Sequence, residues 1–257
     1  MTHTRTYQTP AIIIKKTKLG EADRILTMYS PTLGKFQGIA KAVRKPKSKL
    51  SGHLEMLTYA QVTLVHGKTI DTIIGGQTIN SFLSLRNDLD LISCALYMAE
   101  ILFQFVPEET VDQGLFTLLL SSLECLPFAK DRNQLLRYFE MHLLQGVGYR
   151  PELSNCVFCR RELAPITNAF APSAGGVLCP SCIKLGKHYA YAVSWDCLGV
   201  MLFLQEGDLE SVLATPIETT VINEIERLIR SYVRHLLEKE IKSIAWLNSL
   251  KQNDCCH

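Results

Sequence analysis

Two cysteine pairs, Cys156-Val-Phe-Cys159 and Cys179-Pro-Ser-Cys182, stand 19 residues apart. A C-x-x-C knuckle aims two thiolates at one ion from a tight turn, and two knuckles at this spacing supply the four soft ligands of a tetrahedral Zn2+ site. Four thiolates close that tetrahedron, whereas a catalytic zinc keeps a position open for water. The expectation is one structural Zn2+ held by Cys156, Cys159, Cys179 and Cys182. Two disulfides, or a redox C-x-x-C, are the competing uses of the same residues.

A second chemistry is carried by charge. The run Lys41-Ala-Val-Arg44-Lys45-Pro-Lys47-Ser-Lys49 holds five positive charges in nine residues and no acid. Such a loop can track a phosphate backbone, with Arg24, Lys35 and the lysines at 15, 16 and 18 extending the field, or it can be a solvated turn. The candidate DNA-binding residues are Arg24, Lys35, Lys41, Arg44, Lys45, Lys47 and Lys49. Tyr7, Tyr29, Phe36 and Tyr59 could stack on unpaired bases or simply pack a core.

Other constellations are weaker. His53-Leu-Glu55 matches the H-x-E of zinc deaminases, but the first cysteine pair follows about 100 residues later, without the preceding proline and with a second pair competing for the metal. Arg227, Arg230, Arg234 and His235 form a basic series interleaved with Glu224, Glu226 and Glu238. Cys255-Cys256-His257 is metal-like but terminal, while Cys94, Cys125 and His142 fall on apolar stripes and read as packed groups.

The elements that must position these residues belong to an ordinary globular chain. It has 257 residues, 47% apolar and 20% charged, which suits two modest domains. The net charge of +2 conceals a division: residues 1–80 carry 12 Lys+Arg against 4 Asp+Glu, and the remainder 15 against 21, giving +8 and −6. An anionic partner is expected at the first part. The apolar run Ala11–Ile14 is too short for a secretory signal, and Leu91–Val106 is too short for a bilayer span. An odd total of nine cysteines fits a reducing cytoplasm.

Within residues 1–80, five short β-branched runs are separated by turns: Ala11–Thr17, Arg24–Tyr29, Lys35–Ala42, Leu57–His66 and Ile70–Ile79. Ala60, Val62 and Leu64 alternate with Gln61, Thr63 and Val65, as a strand with one buried side requires. A small β-barrel follows, either an OB-fold or an SH3-like barrel. From residue 81 the apolar period becomes helical. Helices are expected after Asp88, from a capping box at Thr110 and Gln113, and from a second box at Asp131 and Gln134. Between the knuckles, Phe170-Ala171-Pro172 and Gly175-Gly176 suggest a two-stranded excursion. A short helix over Ser194–Leu204 and a long one from Thr219 or Thr220 to Ile244 complete the chain, with Glu226/Arg230 and Glu238/Lys242 paired on its wet side. The fold class is α+β: an N-terminal β-barrel, OB-fold or SH3-like, in residues 1–80, then a mainly helical domain in 81–257 with a four-cysteine zinc-finger module at about 150–190.

Several of these patterns together resemble a known family. Gly20-Glu-Ala-Asp23-Arg24-Ile25, Gly34-Lys35 and Gly38-Ile-Ala-Lys41-Ala-Val-Arg44-Lys45-Pro-Lys47-Ser48 are similar to the N-terminal signature of the bacterial RecO DNA-repair family. Tyr149-Arg-Pro151-Glu-Leu153 before Cys156, Gly175-Gly176 before Cys179, and Arg230-Ser-Tyr232 through Lys242-Ser243 to Leu247 resemble its later segments. One departure is Gly38-Ile-Ala-Lys41, where the family more often has a Lys-Gly-Ala-Arg type of run. The resemblance implies that the barrel is an OB-fold, followed by a helical domain with a zinc module, and that the protein is a cytoplasmic, non-enzymatic recombination mediator of the RecFOR pathway. Such a protein binds single- and double-stranded DNA, associates with RecR and with the single-strand-binding protein SSB, anneals complementary strands and assists RecA loading. A zinc-ribbon adaptor that binds only proteins is the alternative.

Overall fold

The computed structural model describes residues 6–186, 188–245 and 247, so the terminal Cys255-Cys256-His257 motif lies outside the described residues. Five strands come first: β1 (Thr6–Leu19), β2 (Asp23–Ser30), β3 (Gly34–Ala40), β4 (Tyr59–Val65) and β5 (Asp71–Asn80). They close into a barrel in the order β1-β2-β3-β5-β4. The β3/β5 pair is parallel and the other four pairs are antiparallel, which is OB-fold connectivity rather than SH3-like. Closure depends on the length of β1. Its residues Thr6–Ile12 pair with β4 and Ile12–Leu19 with β2, and a bulge between Ile13 and Lys15 bends the strand where it changes partner. Ala60, Val62 and Leu64 of β4 point inward with Ala11, Ile13, Leu26, Met28, Ala40 and Ile73, forming the barrel core.

Helices α1 (Leu83–Arg86), α2 (Leu89–Phe105) and α3 (Gln113–Cys125) follow. Asp88 caps α2 by accepting from the amides of Asp90 and Leu91. The box expected at Thr110 and Gln113 does not form; Asp112 caps α3 instead, accepting from the Leu115 amide at 2.9 Å. A carboxylate at this position gains from the helix dipole as well as from the hydrogen bond. By internal contacts the chain forms two compact units, one reaching Pro127 and rejoined from Ser243, the other Phe128–Lys242. The apolar period changes near residue 80, whereas the first compact unit continues through α2 and α3. The cause is burial: Phe116 of α3 packs on Tyr29 and Tyr59 at 6.3 and 5.8 Å, and the Tyr29 hydroxyl donates to the Asp112 carbonyl.

The second unit contains α4 (Arg132–Gly146), β6 (Asn168–Ala171), β7 (Gly176–Leu178), α5 (Pro180–Ile183), β8 (Tyr191–Val193), α6 (Trp195–Glu206), α7 (Leu209–Ala214) and α8 (Thr219–Leu237). Asp131 caps α4, but Gln134 does not return to complete a box. Its amide donates instead to the carbonyls of Val212 and Thr215, a use invisible to local sequence. Helix α8 begins at Glu218 without a side-chain cap and stops at Leu237, where Glu238 turns to φ 53. The expected continuation to Ile244 therefore fails, and Glu238/Lys242 falls beyond the helix. Glu226 does meet Arg230, at 2.7 Å, but not on a wet face: it is buried and also stands 3.7 Å from Arg137. Arg137 in turn holds the buried Glu140 at 2.7 Å, so buried charges are matched by opposite ones. Among the described residues, no helix is long and apolar enough to cross a membrane.

Candidate nucleic-acid interface and metal centre

Between β3 and β4 the chain makes successive turns rather than a helix or strand. Two apolar side chains, Val43 and Leu54, enter the barrel core and pin this loop at both ends. Its backbone is pinned too: the Ala42 amide donates to the Asp23 carboxylate at 2.7 Å and the Arg44 amide to the Ala22 carbonyl at 3.0 Å. Around these anchors, Lys41, Arg44, Lys45, Lys47 and Lys49 are all exposed. None of the five forms an ion pair among the described residues, and Arg44 makes only a 3.3 Å hydrogen bond to the Gly20 carbonyl. Five cations on one anchored loop raise a local positive potential that an anionic polymer relieves.

The other two candidates are placed differently. Arg24 is partly buried, 3.8 Å from Glu55, which also receives Lys16 at 2.5 Å. Lys35 is a correction to the expected set, because only 7% of it is exposed. Its ammonium donates to the Phe103 carbonyl at 2.9 Å and sits 4.7 Å from the Phe103 ring, under α2. Adjacent spacing in β3 says nothing of this, since the covering residue lies 68 positions along the chain.

The aromatic candidates are packed rather than free-standing: Tyr59 lies against Phe116 and Phe36 against the barrel core. Tyr29 is fully buried. Tyr7 stacks on His66 at 4.7 Å and donates to Asp71 at 2.5 Å; burial, then the Asp71 carboxylate, push its phenol above the usual range. Burial works against ionisation of Asp71, yet hydrogen bonds from Tyr7, the Gly67 amide and His66 outweigh it and hold the carboxyl below its ordinary range. Tyr7 and Phe36 line a cavity of about 590 Å³ together with Asp71, Glu108 and Glu109. Three carboxylates there repel phosphate.

The four cysteines converge. Their sulfurs all lie within 4.8 Å of one another, with Cys159 and Cys179 at 3.9 Å. A tetrahedral ion with Zn–S bonds of about 2.3 Å requires sulfur–sulfur edges of about 3.8 Å, and a disulfide requires about 2.05 Å. The donor set and its spacing fit zinc, and neither disulfide is formed. The group contains no histidine, and His53 Nδ1 is hydrogen-bonded with Thr78 Oγ1 at 2.8 Å.

Local structure explains the convergence. In the first knuckle the Arg160 amide returns to the Cys156 carbonyl at 2.9 Å, with Arg160 at φ 63. In the second, Pro180 opens α5, and the amides of Cys182 and Ile183 reach the Cys179 carbonyl. The Cys179 amide donates to Cys156 Sγ at 3.4 Å. Burial resists ionisation of Cys156, but backbone donors from Cys159, Cys179 and Phe158 bring its thiol down to about 6. Cys182 is pushed up to about 12, by desolvation and by its hydrogen-bonded neighbours Cys179, Cys159 and Cys156. A bound cation would deprotonate the whole set.

Behind the knuckles, β6 and β7 form the expected hairpin. A third strand, β8, joins it to give the order β7-β6-β8. The sequence gives little sign of β8, whose three residues are too few to show a period. Gly175 takes φ 70, and Gly176 lies so close to Glu152 that a Cβ would collide with its carbonyl oxygen. That approach lets Glu152 bond Gly175 and Val177 while its carboxylate accepts from the amides of Ser154 and Asn155, seating the first knuckle. Glu152 and Glu55 stand in sequence motifs, but their supporting roles, seating the first knuckle and pairing with Lys16 and Arg24, depend on partners that local sequence does not reveal.

Comparison with known proteins covers nearly the whole chain. Residues 1–82 match the family model "Recombination protein O N terminal" and residues 86–245 match "Recombination protein O C terminal". A "DNA repair protein RecO" of Dehalococcoides mccartyi is 44% identical over 98% of this chain and 99% of its own length. Proteins of the same name from Roseiflexus sp. and Desulforamulus reducens are 36% and 32% identical, each over 96% of this chain and over 87% and 96% of their own lengths.

Proposed function

Since the chain belongs to the RecO family of DNA repair proteins, we propose that it acts as a non-enzymatic recombination mediator that binds DNA through the loop between β3 and β4. The observation that carries this reading is the set of exposed cations without acidic partners: Lys41, Arg44, Lys45, Lys47 and Lys49, presented by a loop anchored in an OB-fold. They neutralise phosphates on single- or double-stranded DNA without reading sequence, and bound strands are brought close enough to anneal. Arg24 contributes at the margin of the loop, and Lys35 serves the interior instead. In this reading residues 1–80 are the DNA-binding domain and 81–257 a helical domain.

Cys156, Cys159, Cys179 and Cys182 would hold one structural Zn2+ in the module at about 150–190. The ion ties two loops that have little apolar core of their own, and four thiolates leave it no open position for chemistry. The protein works in the cytoplasm, associating with RecR and SSB and assisting RecA on SSB-coated DNA. The test is annealing of complementary strands coated with SSB, with and without RecR. Acceleration that requires the loop cations supports the reading. A protein that neither shifts single-stranded DNA at low salt nor anneals it would instead be a zinc-ribbon adaptor.

A further inference from the structure

The half of the chain that is acidic as a whole contains a basic island. Residues 150–190 hold 5 Lys+Arg and 2 Asp+Glu, for +3, while the rest of residues 81–257 holds 10 and 19, for −9. Three of these cations flank the knuckles directly: Arg160 and Arg161 follow Cys159, and Lys184 follows Cys182 by two residues. Because the four sulfurs lie within 4.8 Å of one another, residues one or two steps from them, at about 3.8 Å per step, gather around one point.

All three cations are exposed. Arg160, Arg161 and Lys184 make no side-chain hydrogen bond or ion pair among the described residues, although Glu162 adjoins Arg161. The knuckles also expose apolar side chains: Phe158, between the two cysteines of the first knuckle, is 47% exposed, and Leu185, after the second, 53%. Balancing the formal −2 of a zinc tetrathiolate is one use for cations here. The donor that reaches Cys156 Sγ, however, is the Cys179 backbone amide, and none of the three side chains bonds a sulfur.

We infer that the knuckle tip, formed by Phe158, Arg160, Arg161, Lys184 and Leu185, is a second binding surface for single-stranded DNA. The cations take successive phosphates, and the Phe158 ring stacks on an unpaired base, an interaction every base can make. Duplex DNA keeps its bases stacked inside and offers that ring nothing. The inference rests on the proposed DNA-binding function and adds to it a second site, so that one chain can hold two strands at once, which annealing requires.

The test uses the full-length, zinc-loaded protein and a labelled oligothymidylate, with anisotropy read over a series of salt concentrations. The variant R160Q/R161Q/K184Q is expected to keep its zinc and melting temperature, while the log–log salt dependence of its affinity becomes shallower by about 2, or roughly 0.7 for each phosphate no longer neutralised. Phe158→Ala is expected to weaken binding about tenfold with the salt dependence unchanged, since stacking releases no counterion. Unchanged affinity and salt dependence in both would overturn the inference. If R44Q/K45Q/K47Q then still weakens binding, the barrel's role stands alone; if the wild type binds no DNA, the underlying function fails. Should the triple variant lose zinc, crosslinking iodouracil-substituted single strands to the wild type decides the matter. Crosslinks in the peptide containing Phe158 support the second surface, and crosslinks confined to residues 1–80 refute it.

Discussion

Neutralising three loop cations, as in R44Q/K45Q/K47Q, separates DNA binding from folding because of how these side chains are placed. All three are exposed, none is ion-paired among the described residues, and the single hydrogen bond removed is that of Arg44 to the Gly20 carbonyl at 3.3 Å. The anchors Val43 and Leu54 and the backbone bonds to Asp23 and Ala22 are untouched. Stability should therefore change by only about 0.5 kcal/mol, the range of ordinary surface substitutions. Binding should change much more. Each phosphate neutralised on a single strand contributes about 0.7 to the slope of log affinity against log salt, so neutralising three fewer phosphates flattens it by about 2. Over a fourfold rise in salt the wild type should lose roughly 20-fold more affinity than the variant. Anisotropy titrations at about 50 and about 200 mM salt measure this directly, with a thermal melt as the control for folding. A variant that melts like the wild type and keeps its full salt dependence would show that the loop is a solvated turn and that the DNA site lies elsewhere.

Lys35→Gln should show the opposite signature: its ammonium is buried against the Phe103 carbonyl and ring, so thermal or denaturant melts should report a loss of about 1.5–3 kcal/mol, with the salt dependence of DNA binding preserved. Gly176→Ala drives a methyl group into the Glu152 carbonyl and should cost about 1–3 kcal/mol, accompanied by reduced zinc content in a colorimetric assay. A chelator should lower the melting temperature of the wild type, while Cys156→Ser should start low and respond little. His142 packs against Tyr138 with its Nε2 bonded to the Leu204 carbonyl; burial, outweighing the backbone bonds, lowers its pKa below the ordinary value of about 6.5. The unfolded chain then binds more protons, so this contribution to stability is complete above about pH 6.5 and is lost as pH falls through the folded value. His142→Gln should flatten that part of the stability profile in pH-dependent melts.

The cysteine spacing, the five β-branched runs and the concentration of positive charge before residue 80 were sufficient to determine a pair of cysteine knuckles, a small barrel and a basic loop, because each is a local property. Spacing fixes how two thiolates leave one turn, a period of two fixes which side of a strand is buried, and a run of nine residues carries its own charge. Partnership across long separations was decided only by tertiary structure. Lys35 reads as one more cation until α2 covers it, Gln134 reads as a cap until Val212 and Thr215 claim its amide, and Glu226 reads as a surface acid until Arg137 takes it into the interior. The closure of the barrel through the parallel β3/β5 pair, and the gathering of two arginines and a lysine about the sulfurs, likewise depend on where the chain returns. Burial and charge pairing are set by neighbours in space, and those neighbours are chosen by the fold.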